Sequence, residues 1–160
     1  MSEGPGLARL REIIDSIRIG LLTTVDLDGS LHTRPVETLR CDAEGTLWFF
    51  TDHESPKAGE LARDARVSVG YCEPSKNVYA VVTGRAHILR DPTLAEQLWT
   101  PAQRAWYPRG VADERLSILR VTLERAEYWE TPGKASYLLA AAAALITGKP
   151  ATVGRDEKLP

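Results

Sequence analysis

Between Ile19 and Thr51 the apolar residues follow a strand-like pattern, and short turns rich in Asp and Gly interrupt them twice. Ile19–Val25 is a β-branched and leucine-rich run, closed by Asp26-Leu27-Asp28-Gly29-Ser30. A second run, Leu31–Arg40, is closed by Asp42-Ala43-Glu44-Gly45, and a third runs from Thr46 to Thr51. Turns this short join only antiparallel neighbours, because a parallel pair needs a crossover of a dozen or more residues. This stretch is therefore an antiparallel meander, and a crossover α/β sheet is excluded.

The flanking segments extend the same plan. Leu7, Leu10, Ile13, Ile14 and Ile17 recur at helical spacing and predict an amphipathic helix over Leu7–Ile17. Ser55 is a good N-cap and Pro56 suits a first helical position, so a short helix follows over Ala58–Asp64. Arg66–Cys72 and Asn77–Leu89 read as strands around the turn Glu73-Pro74-Ser75-Lys76. Asp91-Pro92-Thr93 opens a helical stretch reaching about Trp106, Leu116–Trp129 is a long last strand, and Ala135–Thr147 is a terminal helix stopped at Gly148. The expectation is a mainly β (α+β) fold: a six-stranded antiparallel barrel with peripheral helices, one domain over 1–150 and a flexible polar tail over 151–160.

Composition narrows the function classes. The chain has 160 residues, the size of one domain with one core. Its 20 basic and 22 acidic side chains give a net charge of −2, which argues against a nucleic-acid partner. Cys41 and Cys72 are too far apart for a zinc site and read as two buried thiols. His32, His53 and His87 are isolated, so no metal site is expected. The N-terminus has no apolar leader, and the longest apolar run, Tyr137–Thr147, is about half of a bilayer span. A cytoplasmic protein is expected, with Ala140–Leu145 a packing helix suited to a dimer interface. Neither a Gly-x-Ser-x-Gly elbow nor a glycine-rich dinucleotide fingerprint is present.

Chemistry concentrates between Arg34 and Lys57. Arg34-Pro35-Val36 lies on the second strand, and Thr51, Ser55 and Lys57 span the end of the third strand and the next helix start. A helix N-terminus presents backbone N–H groups and a positive dipole end, a natural phosphate cradle. Ser55 and Thr51 can donate hydroxyl hydrogen bonds there, and Arg34 and Lys57 supply positive charge. Leu47-Trp48-Phe49-Phe50 offers an apolar wall for a flat ring. Singly, each feature has an ordinary reading as a cap or an edge residue; adjacent strands of one meander let them converge.

These segments resemble the pyridoxamine 5′-phosphate oxidase-like flavin-binding split barrels, in their general-stress-protein branch. The resemblance runs from about Leu7 to Pro150. It is carried by Gly20-Leu21-Leu22-Thr23-Thr24, Thr33-Arg34-Pro35-Val36, Leu47-Trp48-Phe49-Phe50-Thr51, Ser55-Pro56-Lys57 and Tyr79–Ala86. Trp99-Thr100-Pro101, Ala105-Trp106-Tyr107-Pro108, Glu127-Tyr128-Trp129 and Ala144–Lys149 add to it. The resemblance implies a split barrel that is a homodimer with FMN between subunits. Arg34 and Lys57 would hold the phosphate with Ser55 assisting. Pro35, Val36 and Glu37 would run beside the ring and ribityl chain, and Phe50 and Thr51 would line the same site. Trp106 would complete it from the second subunit.

Departures from the family pattern bear on activity. Pro56-Lys57 stands where the oxidases carry two basic residues, Leu39 where they carry a lysine near the substrate ring, and their C-terminal arginine and histidine have no counterpart after Trp129. Pyridoxamine phosphate oxidase activity is therefore not expected. Three readings stay open: an FMN-dependent oxidoreductase drawing electrons from NAD(P)H or another small donor, a non-catalytic flavin-buffering stress protein, and a reductase using a deazaflavin (or FAD) on the same barrel.

Overall fold

Helix α1 (Pro5–Ile17) buries Leu10, Ile13 and Ile14 and ends at Arg18, whose φ of 61° turns the chain directly into strand β1 (Ile19–Val25). The structure is a computed structural model that describes residues 4–131, 133–150 and 154–159. Beyond β1 come β2 (Leu31–Glu37), β3 (Arg40–Cys41), β4 (Leu47–Asp52) and α2 (Pro56–Arg63). They are followed by β5 (Arg66–Glu73), β6 (Val78–Leu89), α3 (Pro92–Leu98), β7 (Leu116–Glu130), α4 (Lys134–Thr147) and β8 (Arg155–Leu159).

The strands form one antiparallel sheet in the order β2-β1-β5-β6-β7-β4-β3, with β8 also on β7. The two ends of this path are consecutive in the chain, separated only by Thr38 and Leu39. The sheet must therefore curl until its ends nearly meet, which makes the half-barrel. The run Leu31–Arg40, expected as one strand, is split here: Thr38 N–H donates to Arg18 O at 2.8 Å and Leu39 N–H to Trp48 O at 2.8 Å. The chain thus leaves one sheet edge and joins the other. Pro35 sits on the terminal strand β2, where a missing N–H breaks no ladder.

The barrel interior is packed by Leu22, Leu47, Phe49, Val69, Val82 and Val121, all fully buried, and α1 covers one opening. A second core of Ala95, Leu98, Tyr107, Leu116 and Ile118 lies outside the barrel, with Phe50, Trp48 and Leu39 packed against it. Strand β4 feeds both, since its side chains alternate: Phe49 enters the barrel and Phe50 the outer cluster.

Four further expectations change. Among the described residues the sheet has eight strands, not six; β3 and β8 are the additions. Residues 155–159, expected in the loose tail, pair with Ala126–Glu130 of β7, Tyr128 OH donates to Glu157 Oε2 at 2.7 Å, and Lys158 pairs with Glu127 at 2.9 Å. The second half of β7 needs a partner for its backbone, and a charged edge strand can supply one despite its polar composition. The helix from Asp91 stops at Leu98; Pro101 then opens a separate 3₁₀ turn over Pro101–Ala105. Cys41 is buried as expected, but Cys72 is exposed on the outward face of β5. No helix among the described residues is long and apolar enough to cross a membrane.

Candidate functional site

At the seam where the curled sheet brings β2 close to β4, a cleft of about 450 Å³ opens. Pro35, Val36 and Glu37 form one wall, Phe50, Thr51 and Asp52 the other, and Lys57 from the first turn of α2 closes one corner. The segment after α3 adds Gln103, Trp106 and Tyr107, and the strand-crossing residue Leu39 lies on the lining as well. Of the residues nominated from sequence, Pro35, Val36, Glu37, Phe50, Thr51, Lys57 and Trp106 meet here, whereas Arg34 and Ser55 do not line the cleft. Trp106, expected from a second subunit, borders the cleft of its own chain and is 71% exposed.

The cationic corner is built on two layers. Lys57 Nζ donates to Thr51 Oγ1 at 2.8 Å. Burial pushes the ammonium below its ordinary range, and the nearby Arg34 charge pushes the same way, while Asp52 and Glu60 oppose them. Arg34 therefore stands close enough to Lys57 to be felt, directly behind the lining. Its guanidinium donates to Thr24 Oγ1 at 2.7 Å and to Glu60 Oε2 at 2.8 Å. Glu60, only 3% exposed on α2, also accepts from Thr24. Burial alone would raise its carboxyl, but the bonds from Thr24, Arg34 and His32 outweigh that and hold it below the usual carboxylate range. Ser55 was expected to cap α2 or reach a phosphate; its hydroxyl instead donates to Asp52 O at 2.6 Å, tightening the loop before the helix. His32, read from sequence as an isolated surface residue, has Nδ1 3.4 Å from Glu60 Oε1. Asp26, His32 and Glu60 bring ligand-type atoms within 4.8 Å of one another, yet Glu60 Oε2 already serves the Arg34 ion pair and Oε1 faces His32.

The opposite part of the cleft is flat and aromatic. Phe50 meets Tyr107 edge-on at 6.1 Å and Trp99 at 5.8 Å, so its ring is braced from behind. Burial, then the Asp52 charge, pushes the Tyr107 hydroxyl up to about 12, so it stays protonated across the neutral range. Gln103, Tyr107 and Asp52 were not picked from sequence. The only hint was the Pro101…Pro108 spacing, whose two prolines hold this segment in a compact turn.

A larger and more apolar groove of about 740 Å³ lies elsewhere on the sheet, lined by residues such as Ile19, Leu21, Tyr79 and Trp129. Ile19 and Leu21 are 54% and 52% exposed there. The smaller cleft is the better candidate for chemistry because charged and hydrogen-bonding groups converge on it. Ile19 lines both cavities.

Comparison with known proteins gives consistent matches. The family described as pyridoxamine 5′-phosphate oxidase like matches residues 6–151. Protein bli-3 of Neurospora crassa is 28% identical over 157 residues, covering 91% of this chain and 75% of that protein. General stress protein 26 of Bacillus subtilis is 28% identical over 119 residues, covering 72% and 82% respectively. The crystal structure of the general stress FMN/FAD binding protein from Xanthomonas citri superposes with a TM-score of 0.68 at 26% identity, covering 79% of this chain and 89% of that one.

Proposed function

Because the chain belongs to the pyridoxamine 5′-phosphate oxidase-like family, we propose that its cleft binds a flavin mononucleotide and serves a flavin-dependent oxidoreductase reaction. One observation carries this reading: a cationic corner (Lys57 on Thr51, with Arg34 behind it) and a braced aromatic wall at Phe50 share one cleft of about 450 Å³. Lys57 from α2 and Glu37 from the end of β2 line the same cleft together with the aromatic wall at Phe50. A cationic corner and an aromatic wall in one cleft suit a phosphate joined through a short polyol chain to a flat ring. A relative named as an FMN/FAD binding protein supports the same ligand class.

When bound, a flavin supplies the hydride or electron transfer itself. The chain's own residues would bind and orient it. Lys57 and Arg34 neutralise the phosphate, Pro35 and Val36 run alongside the linker, and Phe50 and Trp106 exclude water from the ring. Leu39 leaves that part of the wall apolar, where the oxidases of the family carry a lysine. Arg34, Pro35, Val36, Glu37, Phe50, Thr51, Ser55, Lys57 and Trp106 remain the binding set we propose, Ser55 acting only through the shape of its loop. A second copy of the chain seated on the Ile19–Leu21 face would wall the cleft as well, since Ile19 borders both cavities.

Titrating the purified protein with FMN and FAD tests the binding. A saturable change in the visible flavin spectrum is expected, and no binding at micromolar flavin overturns the reading. A bound chromophore with a deazaflavin spectrum would instead favour that cofactor. Anaerobic NADH or NADPH should then bleach the bound flavin. A non-catalytic buffering role is the second reading, favoured because the cleft's titratable groups are committed: Glu37 to Arg18 and Gln103, Lys57 to Thr51, and Tyr107 to its protonated form. Binding without reduction by any donor supports it.

A further inference from the structure

Gln103 is 4% exposed and lines the cleft, yet it uses only half of its amide inside the protein. Its Nε2 donates to Glu37 Oε2 at 3.0 Å, while Glu37 Oε1 accepts from Arg18 at 3.2 Å. A carboxylate only accepts, so this contact settles which end of the amide faces Glu37: the nitrogen does. The carbonyl oxygen Oε1 consequently points elsewhere and accepts no hydrogen bond among the described residues. That oxygen is not sealed inside the protein, so a ligand in the cleft that Gln103 lines can reach it. The segment is held in place on both sides. Gln103 backbone N–H donates to Thr100 O, and its carbonyl accepts from Trp106 and Tyr107. Arg18, which fixes Glu37, is itself set by the α1 terminus through its N–H to Ile14 O.

We infer that Gln103, oriented by Glu37, is the specificity residue that reads the polar edge of a ring carrying a cyclic imide, accepting from its N–H through Oε1. This rests on the proposed flavin reading and adds to it the atom-level selector. The side chain offers an acceptor beside a remaining amide N–H, the complement of the adjacent N–H and C=O of an imide. Gln103 shares its segment with Trp106 and Tyr107, and Tyr107 packs against Phe50, so the selector belongs to the aromatic part of the cleft that would take the ring. Flavins and deazaflavins share this edge, and Gln103 serves either; a ligand lacking the N–H would leave Oε1 buried and unpaired, the situation in which discrimination is strongest.

The test compares FMN with N3-methyl-FMN, which lacks that one donor, on the full chain by fluorescence quenching. The wild-type protein is expected to bind N3-methyl-FMN at least about tenfold more weakly than FMN. Gln103→Leu should bind FMN about as weakly as the wild type binds the methylated analogue, and should no longer distinguish the two. A merely structural role would lower both affinities and keep their ratio. Equal wild-type affinity for the two flavins, or discrimination that persists in Gln103→Leu, overturns the inference and leaves the proposed function standing. The wild-type comparison needs no variant to fold. Failure of the wild type to bind either flavin overturns both.

Discussion

Arg34 and Glu60 form an ion pair at 2.8 Å in which the carboxylate is only 3% exposed, and Thr24 bonds to both partners. The pair ties β2 to α2, so the strand bearing one wall of the cleft and the helix bearing Lys57 share one electrostatic anchor. A charge buried this far is costly unless compensated. Arg34→Met should therefore cost about 3–5 kcal/mol, whereas the double variant Arg34→Met/Glu60→Gln should recover a good part of it. Urea unfolding of the wild type and both variants checks this; equal losses in the single and double variants would contradict it.

The same pair sets a pH dependence. Glu60 titrates below the usual carboxylate range in the folded protein. The stability it contributes is thus fully present above the unfolded glutamate value of about 4.3 and drains away as pH falls through the lower folded value. Between pH 6 and pH 3 the wild type should lose more stability than Glu60→Gln does. Parallel curves for the two proteins would show that another carboxylate dominates.

Lys57 is the cation that faces the cleft itself. Lys57→Ala should weaken FMN binding by about 1.5–3 kcal/mol, the scale of a charged hydrogen bond, and should weaken riboflavin binding far less because riboflavin has no phosphate. Isothermal titration with both ligands reads the difference. Equal losses for the two would move the phosphate away from Lys57.

The outward face of β1 is apolar at Ile19 and Leu21. A second copy covering it would make Leu21→Asp shift the protein toward a monomer and lower its flavin affinity together, since Ile19 also borders the cleft. Sedimentation velocity paired with flavin titration tests the coupling. A dimer unchanged by Leu21→Asp would assign the interface to another face.

Gly84 sits at a β-bulge where the register between β6 and β7 shifts. A Cβ there would lie 2.0 Å from Thr122 O, an overlap only backbone movement can relieve. Gly84→Ala should cost at least about 1–3 kcal/mol, measurable as a fall in thermal midpoint. An unchanged midpoint would mean that the bulge relaxes freely.

The parts of this protein that were readable in the chain are those decided over short distances. Leu10, Ile13 and Ile14 at helical spacing gave α1, and the Asp/Gly turns with alternating apolar residues gave the two hairpins β1–β2 and β3–β4, though not their continuation into one meander. Glycine at position 148, with φ of 68°, ended α4 where expected. The β8 strand was missed because charge content argued for a loose tail, while the pairing it makes depends on an open edge of β7 that only the folded sheet possesses. Gln103 was missed because a glutamine on a short turn has no pattern of its own.

Local spacing and turn chemistry thus determined that the chain makes antiparallel hairpins, and the order of Arg34, Pro35, Thr51 and Lys57 along it placed candidate ligand groups on neighbouring elements. Tertiary structure alone decided that the sheet curls until β2 and β3 become its two edges, that Arg34 turns to buried Glu60 behind the lining, and that Gln103 arrives opposite Glu37 from far along the chain. The physical reason is range. Backbone preference and hydrophobic period act over a few residues, whereas the meeting of groups some 26 to 66 positions apart depends on the summed twist and closure of the whole sheet.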